Sequence, residues 1–179
     1  MIVLETERMI FRPHEEADLE AFCALEGDPE VRRWIGGAPR TRAAAEQRFR
    51  ARFLPAPLDR LALWAAVLKH DRCWIGYCGV YPHFLDTGQA VIPDEGMLGF
   101  AFARERWGRG LATEAARAFV NFGFRELRSS RIVAMVQQGN SASLRVLEKA
   151  GFREYRFEAG DPRAFHHLEC RAPVAMGPQ

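Results

Sequence analysis

Only two of the 25 basic residues are lysines, Lys69 and Lys149. The arginine bias runs through the whole chain, so no single arginine marks a site. The four cysteines, Cys23, Cys73, Cys78 and Cys170, form no CxxC pair and have no histidine at metal-ligand spacing. That pattern excludes a zinc ribbon and a disulfide framework and leaves free, mostly buried thiols. No metal is expected. No apolar run approaches the ~20 residues of a membrane helix. No low-complexity tract or internal repeat breaks the chain. The opening stretch, "MIVLETERMIFRP", has two glutamates within its first seven residues and no basic leader. It does not resemble a secretory signal, so a cytoplasmic location is expected.

What is present suits one globular unit: 179 residues, 48% apolar and 27% charged, enough to bury a core without metals or disulfides. The net charge of +2 is unevenly spread. Residues 1–30 hold nine acids against two arginines, residues 31–60 eight arginines against two acids, and residues 104–131 seven arginines against three glutamates.

Strand and helix signals alternate. The opening stretch reads as one strand, and "HEEADLEAFCALEG" as an acidic amphipathic helix that stops at Gly27. A second helix fits "TRAAAEQRFRARFL", closed by "PAP". Two apolar, aromatic-rich strands, "LALWAAVLK" and "CWIGYCGVYP", flank the turn "HDR", and "FLDTGQAVIPDEG" reads as loop or weakly ordered strand. "MLGFAFA" alternates Leu98, Phe100 and Phe102 against Met97, Gly99 and Ala101, the period of a strand with two unlike faces. Ala116, Phe119, Val120, Phe124 and Leu127 form a helical stripe, and "RIVAMVQQ" is the next strand. "GNSASLRVLEKAGF" makes a short helix with Asn140 as N-cap and Gly151 as its stop. Strands at "FREYRFEA" and "AFHHLECRAPV" flank the turn "GDPR". A strand, a glycine-rich turn, a helix and a strand make a unit whose strands run parallel, with the helix crossing over. The other strands lie close enough in sequence to pair antiparallel, so the class is α/β with a mixed sheet.

The segment "RERWGRGLATEA", residues 104–115, opens the helix of that unit. A helix start presents unpaired N–H groups and roughly half a positive charge, which suits an anion. Gly108 and Gly110 let the backbone approach a ligand closely, and Arg104, Arg106 and Arg109 add attraction. The expected ligand carries phosphate. A Walker loop needs Gly-Lys-Ser/Thr, which is absent. A dinucleotide loop needs GxGxxG after the first strand, whereas here Leu111, Ala112 and Thr113 follow Gly110. The same segment also reads as a glycine-softened connection with solvated arginines.

"GFAFARERWGRGLATEAARAFVNFGF" followed by "NSASLRVLEKAGFRE" resembles the acetyl-CoA-binding half of the GNAT N-acetyltransferases, in particular the branch that includes the ribosomal-protein-alanine N-acetyltransferases. "LETERMIFRPHEEADLEAF" and "GDPEVRRWIGGAPRTRAAAE" are similar to that branch too, so the resemblance runs from about residue 3 to about residue 157. It implies a single-domain α/β fold with a mixed, mostly antiparallel sheet, a central parallel strand pair and helices on both faces. The domain would span residues 1–172, with a short tail at 173–179. The implied reaction moves an acetyl group from acetyl-CoA, as cosubstrate, to a primary amine by direct attack in a ternary complex. The acceptor would be a protein N-terminus or a small molecule, and the enzyme a monomer or homodimer with no membrane partner. The arginines flank a helix start and do not form one basic stripe with stacking aromatics, which argues against nucleic acid.

In this family the loop amides hold the pyrophosphate of coenzyme A. The matching positions here are Trp107, Gly108, Arg109, Gly110, Leu111 and Ala112, and the implied contacts are the amides of Gly108 through Thr113. Trp107 stands where the family pattern has a polar residue. Phe100, Ala101 and Phe102 would offer main-chain groups to the pantetheine arm, while the two rings also read as core. Asn140 matches an asparagine that reaches toward the cofactor arm, and also reads as a helix cap. Where many members carry a tyrosine that protonates the leaving thiolate, this chain has Leu147, which cannot. Ser143, one helical turn earlier, is the candidate to hydrogen-bond the thiolate, or else an ordinary polar residue of the first turn. The branch often has a glutamate where this chain has Met97. Glu95, two residues earlier, is the candidate general base, or else a solvated acid beside Asp94. His166, His167 and Glu169 are further candidates, and adjacent histidines point to opposite faces, so at most one can serve. Met97 and Leu147 also motivate a second reading, an acyl-CoA-binding sensor with weak or lost catalysis.

Overall fold

The computed structural model describes residues 1–55, 61–84, 91–160 and 163–173. The single opening strand expected from the sequence is a hairpin. Strand β1 (Leu4–Glu5) turns back into β2 (Met9–Arg12), because the Thr6 N–H donates to the Met9 carbonyl at 2.9 Å and the Thr6 hydroxyl accepts from the Met9 N–H at 3.1 Å. Helix α1 (Leu19–Gly27) follows a short 3-10 turn. A helix not anticipated, α2 (Pro29–Arg32), starts where the Asp28 carboxylate accepts the Glu30 N–H at 2.7 Å and Pro29 fills the first helical position. Helix α3 (Arg42–Arg48) is capped by Thr41 and passes into a wider π turn over Phe49–Phe53. The one helix expected over 41–54 therefore changes pitch.

The remaining strands are β3 (Trp64–Leu68), β4 (Trp74–Phe84), β5 (Val91–Phe102), β6 (Arg131–Gln137), β7 (Arg153–Glu158) and β8 (Phe165–Arg171). Helix α4 (Leu111–Arg125) joins β5 to β6, and α5 (Ser141–Lys149) joins β6 to β7. One eight-stranded sheet runs in the order β1-β2-β3-β4-β5-β6-β8-β7. Among the described residues only β5 and β6 pair parallel, as a strand–helix–strand crossover through α4 allows. The stretch read as loop or weak strand is strand from Val91 onward, with an irregularity in its pairing to β4 between Val91 and Gly96 and a positive φ at Asp94. Its residues 85–90 lie outside the described residues, as do parts of the expected "PAP" and "GDPR" turns and residues 174–179 of the tail.

Helices cover both faces. On one face α4 and α5 bury Phe119, Leu147, Ile132 and Leu168, with Phe11 edge-on to Phe119 at 4.8 Å between centroids. Along α4 the buried stripe is rotated from the expected one: Ala116, Phe119 and Val120 are buried, Phe124 and Leu127 only half so, and Phe122 and Gly123 go inside. On the other face α1, α3 and the π turn pack Phe22, Phe49 and Phe53 against Trp74, Tyr77 and Ala101. Burying such a ring is worth ~1.5–3 kcal/mol, so each layer is held by several. All four thiols are free, Cys23 and Cys78 buried, Cys73 and Cys170 half-buried.

The uneven charge is resolved locally. Arg12 grips Asp18 with two bonds of 2.8 Å, Arg40 and Arg32 hold the buried Glu26 at 2.8 and 3.2 Å, Arg42 pairs with Glu20, and Arg50 pairs with Glu46 at 2.6 Å. The acidic N-terminal stretch and the basic stretch after it thus neutralise each other around the α1–α3 layer.

Candidate active site

The site is built on a divergence between two strands. β5 and β6 pair only where Glu95, Gly96 and Met97 face Arg131, Ile132 and Val133. Beyond that point β5 stays with β4 and β6 with β8, so among the described residues the facing edges of Leu98–Phe102 and Ala134–Gln137 have no strand partner. Backbone groups left unpaired in the middle of a sheet are a row of donors and acceptors for an extended ligand.

The closed end of the split is pinned. The Asp94 carbonyl accepts the Ser130 N–H at 2.8 Å and its hydroxyl at 3.2 Å. The Glu95 carboxylate takes Arg131 on one oxygen and the His83 Nδ1 on the other, each at 2.9 Å. Arg131 reaches on to Glu169 at 2.6 Å and lies over the Tyr155 ring at 4.7 Å. Burial pushes the Glu95 pKa up, but the bonds from Arg131 and His83 outweigh it and hold the carboxyl below its usual range. Glu95 is on strand, as its candidacy required, yet both oxygens are engaged. The placement suits an anchor between β5 and β6 better than a group waiting to accept a proton.

The open end meets the glycine turn. Gly108 and Gly110 have φ of +72° and +76°, a left-handed backbone that costs other residues ~1–2 kcal/mol. Gly110 is the N-cap of α4 and brings no side chain to it, so the first-turn amides at Leu111, Ala112 and Thr113 have no capping side chain. Trp107 is half-exposed, and its indole N–H donates to the Phe102 carbonyl at 2.8 Å, closing the turn after β5. Arg8, from the N-terminal hairpin, braces the turn. Its guanidinium binds the Arg109 carbonyl at 2.8 Å and Glu114 at 2.6 Å, and its backbone N–H donates to the other Glu114 oxygen at 2.9 Å. Burial raises the Glu114 pKa, but the bonds from Thr6 and Arg8 prevail and keep it low.

Between these parts lies a cleft of about 330 Å³. Of the sequence-predicted residues it brings together Phe100, Ala101, Phe102, Trp107, Gly108, Gly110, Leu111, Ala112, Thr113, Asn140 and Ser143. Arg109 and Glu95 are not among its lining residues, nor are the further candidates His166, His167 and Glu169. Arg109 lines a second hollow with Arg8 and Lys69, and its carbonyl accepts from the Arg8 guanidinium. Asn140 caps α5, its side-chain oxygen accepting the Ser143 N–H at 3.1 Å. The cap uses only the oxygen, and the amide nitrogen remains available at the cleft wall. Leu147 is 1% exposed and belongs to the core, whereas Ser143 stays at the cleft. Of the two histidines, His166 pairs with Glu154 at 2.7 Å and His167 with Glu158 at 3.1 Å.

Sequence reasoning missed one wall of the cleft, Val31, Trp34 and Ile35 from α2 and its exit, and the cations Arg145 and Lys149 on α5. Asp28 followed by Pro29 is a start signal that could have revealed α2; nothing local marks its side chains as cleft-lining. Among the described residues no cluster of three metal-ligating side chains occurs, and no helix is long and apolar enough to cross a membrane.

Residues 8–153 match the family model described as an acetyltransferase (GNAT) domain. The chain is similar to the uncharacterized protein YkkB of Bacillus subtilis, 34% identical with 83% of each chain covered. It is also similar to the uncharacterized N-acetyltransferase p20 of Bacillus licheniformis, 29% identical over 86% of this chain and 84% of the other. An acetyltransferase of the GNAT family from Bacillus anthracis superposes with a TM-score of 0.81 at 22% identity, covering 96% of this chain and 98% of that one. The aminoglycoside acetyltransferase AAC(6')-Ib in complex with coenzyme A superposes at 0.72 with 20% identity, covering 91% and 94%.

Proposed function

The chain belongs to the GNAT acetyltransferases and is an acetyl-CoA-dependent N-acetyltransferase, and from that premise we propose which of its residues hold the cosubstrate and where the amine enters. The observation that carries the reading is the continuity between the unpaired edges of β5 and β6 and the left-handed turn at the start of α4. The pantetheine arm lies in the split, hydrogen-bonded to the main chain at Phe100, Ala101 and Phe102. The pyrophosphate rests on the amides from Gly108 through Thr113, where the helix dipole and unpaired N–H groups favour an anion. Arg106, Arg145 and Lys149, at the cleft wall, add positive charge. The coenzyme A bound to the structural neighbour AAC(6')-Ib supports this ligand. Residues 1–172 act as one catalytic domain.

Chemistry follows from position. With the thioester fixed in the split, the amine attacks from the face that carries α1–α3, and orientation supplies much of the rate. Ser143 donates its hydroxyl hydrogen toward the sulfur as the carbon–sulfur bond breaks, and the Asn140 amide steadies the arm. Glu95 keeps the closed end of the split in register. The acceptor is a primary amine, a protein N-terminus of the ribosomal-protein kind or a small molecule. The N-terminal acids pair with neighbouring arginines, so that acidic stretch does not select a cationic acceptor.

Thermal shift with acetyl-CoA, coenzyme A and adenosine 3',5'-bisphosphate tests the cleft. Stabilisation by all three is expected, and none at millimolar concentration overturns the assignment. Free-thiol release is then followed with an alanyl peptide, spermine and phenethylamine. Binding without release above hydrolysis would favour the sensor reading, which the burial of Leu147 keeps in play.

A further inference from the structure

The α1–α3 layer covers the sheet over β2 to β5 and leaves the same face of β6, β8 and β7 open, where Met135 is 46% and Tyr155 44% exposed. Residues paired across neighbouring strands share a face. Glu95 and Met97 pair with Arg131 and Val133, and Met135 with His167, so His167 lies on the face that carries Glu95, Met97 and Gly99. Met135 stands two residues past Val133, the last residue of β6 to pair with β5, on the first open turn of the split. His167 is one strand spacing beyond it, about 5 Å. His166 pairs with Val136 and stacks on Phe157 at 5.0 Å on the opposite face.

The immediate surroundings of His167 set its hydrogen-bonding state. Its Nε2 meets a Glu158 oxygen at 3.1 Å. A carboxylate can only accept, so a neutral ring bonded in this way carries its proton on Nε2 and leaves the Nδ1 lone pair free to accept. Among the described residues Nδ1 has no hydrogen-bond partner. Arg156 and Tyr155 face the ring from β7, Glu169 follows on β8, and Arg131 reaches Glu169 from β6. Arg156 also binds Glu158, at 2.8 Å, which fixes the carboxylate that orients the imidazole. Glu95, by contrast, has both oxygens engaged.

We propose that His167, oriented by Glu158, is the general base of the transfer, a role that rests on the acetyltransferase reading of the cleft. As the amine nitrogen bonds to the thioester carbon, the proton it loses moves to Nδ1, directly or through one water. The carbon–sulfur bond breaks, the thiolate, hydrogen-bonded by the Ser143 hydroxyl, takes a proton from solvent, and His167 returns its proton to water. Glu158 is a positioning residue: it holds the tautomer and stabilises the ring while it is charged.

The test compares wild type with His167→Gln, His167→Asn and Glu158→Gln. Acetyl-CoA binding is read by thermal shift, and turnover by thiol release with the alanyl peptide, spermine and phenethylamine, or with water alone where none reacts. Both His167 variants should bind acetyl-CoA as wild type does and lose about 10²-fold or more in kcat. Their rates should climb with pH as the amine deprotonates unaided, without the wild-type plateau. Glu158→Gln should lose less and shift the profile. A kcat within twofold of wild type with an unchanged pH profile in both His167 variants overturns the proposal. Failure of wild type itself to bind acetyl-CoA would instead count against the cleft assignment. If one variant fails to fold, its partner carries the comparison.

Discussion

Arg8 and Glu114, 106 residues apart in the chain, make a two-pronged contact in which the backbone N–H and the Nε of Arg8 each take one carboxylate oxygen, at 2.9 and 2.6 Å. The same guanidinium holds the Arg109 carbonyl at 2.8 Å. The N-terminal hairpin therefore sets the shape of the glycine turn at the head of α4 without entering the cleft.

Arg8→Ala and Glu114→Gln should loosen that turn. Arg8 is 43% exposed on its side chain, so the ion pair itself adds at most ~1 kcal/mol to stability and the melting temperature should move little. The KM for acetyl-CoA should rise about three- to tenfold, the size of one hydrogen bond of ~0.5–1.5 kcal/mol. Steady-state kinetics beside thermal melting check this, and a melting loss without a change in KM would contradict it.

Gly110 has a φ of +76°, and a Cβ there would meet the Arg8 guanidinium at an ordinary contact distance of 3.5 Å, so the backbone alone carries the strain. Gly110→Ala should pass ~1–2 kcal/mol of backbone strain to the loop, lowering coenzyme A affinity by about five- to thirtyfold. Gly110→Asn should lose less, since asparagine tolerates the left-handed region. Calorimetric titration with coenzyme A ranks the three proteins.

Glu95→Gln should cost stability more than chemistry. It leaves Arg131 and His83 short of one charge partner at the pinned end of the split, for a loss of ~1–3 kcal/mol that denaturant titration would read. The position of the pH–rate profile should stay where it is in wild type. A profile displaced along the pH axis would return Glu95 to the role of base.

His14 is 4% exposed, its Nε2 at 3.2 Å from the Leu63 carbonyl and its Nδ1 without a partner. Burial lowers its pKa from 6.5 to about 4. The unfolded chain binds the proton first as pH falls, so the stability this histidine allows is intact above pH ~6.5 and declines toward pH ~4, by on the order of 3 kcal/mol at the limit. Unfolding free energy measured from pH 7.5 to 4.5 should fall less steeply in His14→Phe than in wild type.

Local signals revealed most of the elements. Asn140 could be read as a cap because a side-chain oxygen three residues before an N–H makes the same bond in any helix. Leu98, Phe100 and Phe102 could be read as one strand face because the period is a property of extended backbone. The opening hairpin was missed because the turn at Thr6 depends on two bonds to Met9 and not on glycine or proline. The α3 helix was drawn too regular because a π turn leaves no compositional mark.

The amino-acid sequence by itself determined the alternation of strands and helices and the glycine turn at the head of α4, which follow from bonds and periods spanning a few residues. Only the tertiary structure decided where β5 and β6 part, that Arg8 braces the turn, that Glu95 is held by Arg131 and His83, and that His167 rather than His166 shares the face of the split. Those outcomes depend on strand register and on partners many residues away. A shift of one residue would exchange the two histidines between faces, and only the packed sheet fixes that register.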